Sequence, residues 1–142
     1  MRFLIINGPS LNMLGRRDSA HYGSMTLEQL NAFIGEYCAK NGDSCEFYQS
    51  SCEGQIIDKL HAADCDAILL NAGAYTHYSY AIRDAIECIS VPVAEVHLSD
   101  TDEREDFRKV SVIRDVVKFT VKGLKHESYL EAIRRFKETL KR

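Results

Sequence analysis

A tyrosine and an arginine in one polar segment could together supply a base. Arg17 and Tyr22 lie within residues 8–24, a glycine-containing polar stretch that follows an apolar run. The phenol of a free tyrosine has a pKa of about 10, and a nearby guanidinium favours the phenolate. A positioned phenolate can take a proton from carbon beside a ketone. The pair alone is weak evidence, because exposed tyrosines commonly lie near arginines.

A glutamate and a histidine two residues apart could supply the matching acid. Glu95 and His97 end an apolar run, and side chains two positions apart on a strand point to the same face. A carboxylate beside an imidazole fixes its tautomer and raises its basicity, which suits His97 to act as a general acid. A structural histidine at the end of a strand explains the same pair equally well.

Three more polar side chains lie near predicted helix ends. His77 follows the turn at residues 71–76, where helix-terminal amides can hold a hydroxyl or a carboxylate, although it could equally be only a neighbour of a helix cap. Arg104 and Arg108 are four residues apart, so they share a face if residues 102–107 are helical. The two arginines could bind a substrate anion or hydroxyl, but pairing with the acidic residues around them is the simpler interpretation.

Length and charge limit the classes of function. A chain of 142 residues is expected to form one domain, residues 1–142, with one hydrophobic core. The net charge of −3 gives no electrostatic case for binding nucleic acid or an anionic membrane. No apolar run approaches the roughly 20 residues that span a bilayer. The N-terminus enters an apolar strand without a leader, so we expect a cytoplasmic protein.

The sequence contains no recognisable metal or cofactor motif. The five cysteines form no Cys-x-x-Cys pair, and an odd number argues against a disulfide framework. Buried free thiols are the expected alternative. Because phosphate-binding, dinucleotide-binding and nucleophile-elbow motifs are also missing, we expect an acid–base catalyst without a cofactor or metal.

Strands and helices alternate along the chain, which predicts the sheet that must position these side chains. The predicted strands are Arg2–Asn7, Ser44–Gln49, Ala67–Asn71, 92–97 and 116–121. The predicted helices start at Leu27 and end before Asn41, cover residues 53–63, 78–89 and Glu127–Leu140, and include a short turn at 102–107. The alternation predicts an α/β fold, a flavodoxin-like three-layer sandwich whose five-stranded parallel sheet has the order 2-1-3-4-5. Polar groups that follow the strands then meet at one edge.

The polar segment at residues 8–24 is too long for an ordinary strand-to-helix loop, which usually has about 2–6 residues. Gly15 and Gly23 flank Arg17 and Tyr22 within it and could serve as hinges. We therefore expect a lid over a site rather than a solvated surface loop.

Five motifs in order resemble one known family along nearly the whole chain. They are residues 6–17 with Tyr22-Gly23, residues 49–54, residues 71–79, Glu95-Val96-His97-Leu98-Ser99 and Arg104-Glu105-Asp106-Phe107-Arg108. With these motifs the chain resembles the type II 3-dehydroquinate dehydratases. The resemblance implies anti elimination of water from 3-dehydroquinate to give 3-dehydroshikimate, without a cofactor, in a dodecamer built from trimers.

The resemblance also implies catalytic roles for the candidate residues. Tyr22, activated by Arg17, would remove the proton beside the ketone, so that an enolate forms. His97, oriented by Glu95, would protonate the departing hydroxyl. Ser10 occupies the position of a residue that helps to hold the water stabilising the enolate.

By the same resemblance, six residues would bind the substrate. Asn71 and the backbone of two residues after β-strand four would hold the carboxylate, while a histidine and an arginine would hold the ring hydroxyls. One aspartate would reach a neighbouring subunit's site across a trimer contact. The six residues are Asn71, His77, Asp84, Leu98, Ser99 and Arg108.

The chain departs from the family pattern at several positions. Ser10 and Ser51 stand where asparagine is usual, and a weakened contact at Ser10 would cost about 10²–10³-fold in rate. Ser19 replaces a proline in the lid. Lys125 and Ser128 are among the residues that replace apolar residues or glycines near the fifth strand.

Two other functions stay open on the sequence. Ser10 and Ser51 motivate a diverged relative that binds a quinate-like ligand or a protein partner without turnover, although a mere binder need not keep Tyr22 and His97. A flavin-binding module would share the fold. The long lid and the lack of a Ser/Thr-rich phosphate loop argue against that module.

Overall fold

The structure is a computed structural model that describes residues 1–140, and its centre is a five-stranded parallel sheet. The strands lie in the order β2-β1-β3-β4-β5, which confirms the predicted order. They are β1 Arg2–Asn7, β2 Ser44–Gln49, β3 Ala67–Asn71, β4 Val93–Val96 and β5 Phe119–Val121. β1 and β3 are almost wholly buried, as expected for central strands covered on both faces.

The helices of the described residues cover both faces of this sheet. They are α1 Ser19–Tyr22, α2 Leu27–Lys40, α3 Glu53–His61, α4 Tyr80–Glu87 and α5 Glu127–Leu140. Helices α2 and α5 pack on one face through residues such as Ile34 and Phe136. Helices α3 and α4 pack on the other face through residues such as Leu60 and Ile82. The predicted three-layer sandwich is therefore confirmed.

Helix α2 begins at a capping box formed by Thr26 and Gln29. The Thr26 hydroxyl accepts a hydrogen bond from the Gln29 amide at 3.1 Å, and the Gln29 side chain accepts one from the Thr26 amide at 3.0 Å. This reciprocal pair satisfies two backbone donors at the helix start. The capping box thus anchors the C-terminal end of the polar segment that precedes α2.

Only the second half of residues 8–24 contains no fully buried residue. Leu11 and Leu14 are 2% and 4% exposed and belong to the core cluster beneath α2 and α5. The expected continuous polar loop is therefore wrong for the first half. The second half runs from Gly15 to Gly23, which have φ values of 91° and 77°, and is called the lid below.

Four predicted elements are shorter than the sequence suggests, of which β4 and α3 differ by only two residues each. The strand predicted over residues 116–121 keeps only its last three residues, because a turn closes where the Val116 amide bonds to the Ile113 carbonyl at 3.0 Å. The helix predicted over residues 78–89 begins at Tyr80. Its start is set by Ser79, whose hydroxyl accepts a hydrogen bond from the backbone of the first turn.

The predicted helical turn at residues 102–107 is wrong. Two short 3-10 helices, Thr101–Glu103 and Asp106–Lys109, take its place. Arg104 lies between them in extended conformation, with φ −117° and ψ −163°. Arg104 and Arg108 therefore do not share a helical face.

The cysteines are less buried than the sequence analysis expects. Cys38 is buried and Cys45 and Cys65 are half-buried, whereas Cys52 and Cys88 are exposed. All five are free thiols, but the expectation of burial is wrong for the last two. Separately, within residues 1–140 no helix combines the length and the apolar character needed to cross a membrane.

Candidate active site

A cavity of about 160 Å³ lies at the carboxyl ends of the central strands. Ligands bind at this edge in open parallel sheets of this kind. Most of the predicted site residues meet there. The lining residues are Pro9, Ser10, Leu11, Arg17, Tyr22, Asn71, Gly73, Ala74, His77, His97, Leu98, Ser99, Thr101, Arg104 and Arg108.

Two guanidinium groups flank the phenol of Tyr22. The guanidinium carbon of Arg17 lies 3.6 Å from the centroid of the Tyr22 ring, over its face. Arg104 donates a hydrogen bond to the Tyr22 hydroxyl and lies 5.0 Å from the same centroid. The predicted pair of Arg17 and Tyr22 does meet, and Arg104 also bonds to the Tyr22 hydroxyl. The sequence interpretation that favoured a carboxylate partner for Arg104 is therefore wrong.

The three arginines of the cavity act on one another. Burial lowers the pKa of Arg17, Tyr22 opposes that shift, and the charges of Arg104 and Arg108 add to it. Against these cations, Tyr22 is the one lining residue whose side chain becomes an anion on losing a proton. The cavity is consequently rich in positive charge, which suits an anionic ligand.

The lid carries both Arg17 and Tyr22, with Tyr22 on the short helix α1 and Arg17 just before it. Asp18 caps α1 by accepting a hydrogen bond from the Ala20 amide at 2.9 Å. Tyr22 ends the helix and packs partly against the core. Since Gly15 and Gly23 both have positive φ, this segment joins the fold through two positions that favour glycine.

His97 follows directly after β4 and is bonded to Glu95. The distance from His97 Nε2 to Glu95 Oε1 is 2.8 Å, and the two side chains are almost fully buried. The backbone amide of His97 also bonds to the Val121 carbonyl at 2.9 Å. Because Glu95 occupies Nε2, the other ring nitrogen of His97, Nδ1, is the one left for a ligand in the cavity.

Glu95 has further partners besides His97. The hydroxyls of Ser111 and Thr120 donate to its two oxygens at 2.8 and 2.9 Å, and Arg114 Nε lies 3.5 Å away. Burial opposes ionisation, but the bond and charge of His97, the Ser111 bond and the Arg114 charge outweigh it and hold the pKa of Glu95 at about 2. Glu95 is therefore a carboxylate at neutral pH and is fixed in place.

The sequence alone does not predict these supporting groups. Thr120 pairs with Glu95 in the β4–β5 register, so an exact strand alignment could have found it. Ser111 and Arg114 lie in irregular backbone whose path no periodic pattern predicts. Their contact with Glu95 follows from the three-dimensional fold alone.

Asn71 ends β3 and takes part in a buried chain of hydrogen bonds. Its Oδ1 accepts from the Gly73 amide at 3.2 Å, and its Nδ2 donates to the Tyr129 hydroxyl at 3.1 Å. That hydroxyl donates in turn to Asn7 Oδ1. Asn71 lines the cavity as predicted, whereas Tyr129 and Asn7 lie behind it and were not predicted.

His77 and Arg108 lie together beside the cavity. His77 Nδ1 is 2.7 Å from the Val110 carbonyl, which can only accept, so Nδ1 carries a proton. Burial lowers the pKa of His77, the Val110 bond opposes this, and the charges of His97 and Arg108 lower it further. The neutral ring then presents Nε2 as an acceptor for a hydroxyl proton. Arg108 also pairs with Glu105.

Four further predicted residues have distinct positions. Ser10 lines the cavity with the left-handed φ of 69°, which disfavours side chains other than Asn, Asp and Gly. Leu98 and Ser99 line it too, and their carbonyls accept from Lys125 and Gly123. Asp84 is different, because it is an exposed residue of α4 and does not line this cavity.

Residues 1–140 contain no cluster of three or more histidine, cysteine, aspartate or glutamate side chains that could hold an ion. The cavity instead combines a phenol, two imidazoles and three guanidiniums. These groups can exchange protons and bind anionic or hydroxylated ligands.

Comparison with known proteins identifies relatives along nearly the full length. Residues 1–137 match the family described as Dehydroquinase class II. The 3-dehydroquinate dehydratase of Thermotoga maritima is 46% identical over 140 residues, which cover 99% of this chain and 97% of that protein. The 3-dehydroquinate dehydratase of Caldicellulosiruptor bescii is 45% identical, and the match covers 98% of each chain.

A solved structure shares both fold and sequence. The crystal structure of the type II dehydroquinase from Butyrivibrio crossotus superposes with a TM-score of 0.92 and 44% identity. The match covers 96% of this chain and 97% of that one. The likeness therefore extends over nearly the whole of both chains.

Proposed function

The chain belongs to the class II dehydroquinase family, and we propose that it dehydrates 3-dehydroquinate to 3-dehydroshikimate. The observation that carries this proposal is the placement of Tyr22 between two guanidiniums in the same cavity as the His97–Glu95 pair. A base and an acid in one cavity are what elimination of water requires. We further propose that residues 1–142 form a single dehydroquinase domain.

The first step is removal of a proton from carbon beside the ketone. Tyr22, as the phenolate, takes this proton, and the electrons of the C–H bond move to the ketone oxygen to give an enolate. Arg17 over the Tyr22 ring and Arg104 at the Tyr22 oxygen keep positive charge beside the site of this transfer. That charge favours the enolate, because the negative charge then lies on the substrate.

The second step is loss of the hydroxyl. Electrons of the enolate return to form the new carbon–carbon double bond, and the carbon–oxygen bond breaks. His97 donates a proton to the leaving oxygen, so that water departs. Glu95 stays ionised, holds the imidazole in position and stabilises its protonated form before the donation.

Other residues of the cavity would bind the substrate around Tyr22 and His97. We assign the substrate carboxylate to the Asn71 side chain with the backbone of Leu98 and Ser99, and the ring hydroxyls to His77 and Arg108. The support is that all five line the cavity with Tyr22 and His97. Ser10 lies where a hydroxyl could hold a water on the enolate, although its reach is shorter than that of asparagine.

The assembly and the cellular role go beyond the single chain. We propose a dodecamer built from trimers in which Asp84 contacts a neighbouring subunit's site, supported by the exposure of Asp84 on α4. Light scattering that shows a stable monomer would contradict it. A role in the shikimate pathway and a cytoplasmic location stay predictions.

Turnover of 3-dehydroquinate tests the function directly. The product has a conjugated enone, so its ultraviolet absorbance should rise with wild-type protein and Tyr22→Phe should lose about 10²–10⁴-fold in kcat. Tyr37→Phe is the matched control, because Tyr37 lies on α2 away from the cavity. Binding without turnover in the wild type would contradict the proposal and favour a diverged ligand-binding relative.

A further inference from the structure

A buried tyrosine behind the cavity has no place in the chemistry described so far. Tyr129 is in the first turn of α5, is 0% exposed and packs among apolar side chains of the core. A phenylalanine would suit those neighbours equally well. Burying a hydroxyl costs free energy unless the hydroxyl is hydrogen-bonded. The hydroxyl of Tyr129 therefore calls for a specific explanation.

The hydroxyl lies between two asparagines that face each other across neighbouring strands. Asn7 and Asn71 are register partners at the ends of β1 and β3, with exposures of 1% and 4%. The Tyr129 hydroxyl accepts from Asn71 and donates to Asn7. One residue of α5 thus joins two strand ends exactly where the sheet meets the cavity.

The direction of every bond in this chain is determined by one backbone group. The Gly73 amide can only donate, so the atom of Asn71 that faces it at 3.2 Å must be Oδ1. Nδ2 is then turned toward Tyr129, whose oxygen accepts at 3.1 Å. The phenol proton is left for Asn7 Oδ1. Burial raises the pKa of Tyr129, partly opposed by Asn71, so this proton is retained.

These bonds fix the orientation of the Asn71 side-chain amide, with Oδ1 toward Gly73 and Nδ2 toward Tyr129. Asn71 has two N–H groups on Nδ2, and Tyr129 accepts one of them. The second N–H is available to the cavity, which Asn71 lines, while its oxygen is occupied by Gly73. The cavity is therefore offered a donor at this point, which fits a carboxylate or another acceptor on the ligand.

We propose that Tyr129 is a positioning residue that makes Asn71 present an N–H to the substrate carboxylate. The inference rests on the proposed function, because it takes Asn71 to contact the substrate. It assigns the specificity of this contact to a residue that does not line the cavity. Asn7, the acceptor at the far end, takes part in the same way.

The test measures the dissociation constant of 3-dehydroquinate by calorimetry, together with KM and kcat. Tyr129→Phe should weaken binding and raise KM about tenfold, the effect of losing one hydrogen bond to a charged group, and should change kcat less than about threefold. Asn7→Ala should weaken binding in the same direction, although Asn7 does not line the cavity. Phe136→Leu is the matched control, because it loosens the core under the same helix without touching either asparagine.

A double-mutant cycle separates positioning from mere stabilisation. In an Asn71→Ala background, Tyr129→Phe should have no further effect on the dissociation constant. An effect of equal size in both backgrounds would overturn the inference, and so would a lowered melting temperature with unchanged binding. If Tyr129→Phe does not fold, the same cycle is measured with Asn7→Ala in place of Tyr129→Phe. An effect of equal size in both backgrounds would again overturn the inference.

A failure of the proposed function can be distinguished from a failure of this inference. Wild-type protein that binds 3-dehydroquinate without turnover would refute the activity, while the cycle measured on dissociation constants would still decide the role of Tyr129. Coupling between Tyr129 and Asn71 would then support positioning in a binding site.

Discussion

The two sides of the candidate active site are built in opposite ways. Glu95 lies on β4 and His97 directly after it, and both are almost fully buried and fixed by several hydrogen bonds. Tyr22 and Arg17 lie half-buried on the lid, where their main contacts are with each other and with Arg104. The side with the proposed acid is part of the folded core, whereas the side with the proposed base lies on a segment between two glycines. Substitutions on the two sides should therefore differ in what they damage.

The largest difference is expected in stability. Glu95→Ala leaves Ser111, Thr120 and Arg114 without their buried partner and should lower the free energy of unfolding by about 3–5 kcal/mol. Arg17→Ala should lower it by less than about 1 kcal/mol while still reducing turnover. Urea unfolding of both variants checks this, and similar losses of stability would remove the distinction between the two sides.

Acidification should lower the stability of the protein chiefly through the buried carboxylate of Glu95. The folded pKa of Glu95 is about 2, below its ordinary value of 4.5. Because the folded value is the lower one, this stabilisation is complete above about pH 4.5 and is lost as the pH falls toward 2. Linkage gives it a size of roughly 3 kcal/mol.

Urea unfolding at pH 7 and pH 3 measures this effect. The wild type should lose more stability on acidification than Glu95→Gln, since the variant has no carboxylate to protonate at this position. Asp43, whose pKa is also lowered because Lys137 and the N-terminal amine outweigh its burial, is unchanged in both proteins. Equal losses in the two proteins would refute the role given to Glu95.

On the lid side, the sharpest test concerns Arg104. Arg104→Gln removes the cation bonded to the Tyr22 hydroxyl and should lower kcat about 10–100-fold, with little change in melting temperature. Arg16→Gln is the matched control, because Arg16 is an exposed lid residue outside the cavity. Steady-state assays in which both variants behave alike would show that general charge, not the Tyr22 contact, matters.

The smallest expected effect lies behind the lid. Lys125 has a φ of 52°, which is strained for a lysine, and its side chain lies against Gly23 at the lid hinge. Lys125→Gly should raise the free energy of unfolding by about 0.5–1 kcal/mol, since glycine adopts this conformation without strain. Lys125→Ala keeps the strain, so thermal unfolding that shows an equal gain there would contradict this explanation.

The sequence predicts the regular parts of this molecule well. Strand order, both helical layers and the capping box at Thr26 follow from periodicity and local signals. The meeting of Tyr22, His97 and Asn71 follows from the rule that ligands bind at the carboxyl ends of parallel strands. These features depend on repeated patterns, which single substitutions do not erase.

The irregular segments could not be predicted in the same way. Arg104 and Arg108 share a face only in a helix, and the backbone at residues 101–109 instead breaks into two short turns. Ser111 and Arg114 reach Glu95 from a segment without periodicity, and Tyr129 has the spacing of an ordinary core residue. Their roles depend on contacts between segments far apart in sequence, which local patterns do not specify.

Proton exchange in deuterated water tests the division of labour between Tyr22 and His97 most directly. With 3-dehydroquinate and His97→Asn, proton removal by Tyr22 should continue, so nuclear magnetic resonance should show deuterium entering beside the ketone while almost no product forms. Tyr22→Phe should show neither deuterium entry nor product. Deuterium entry that persists in Tyr22→Phe and stops in His97→Asn would contradict the assignment of base and acid.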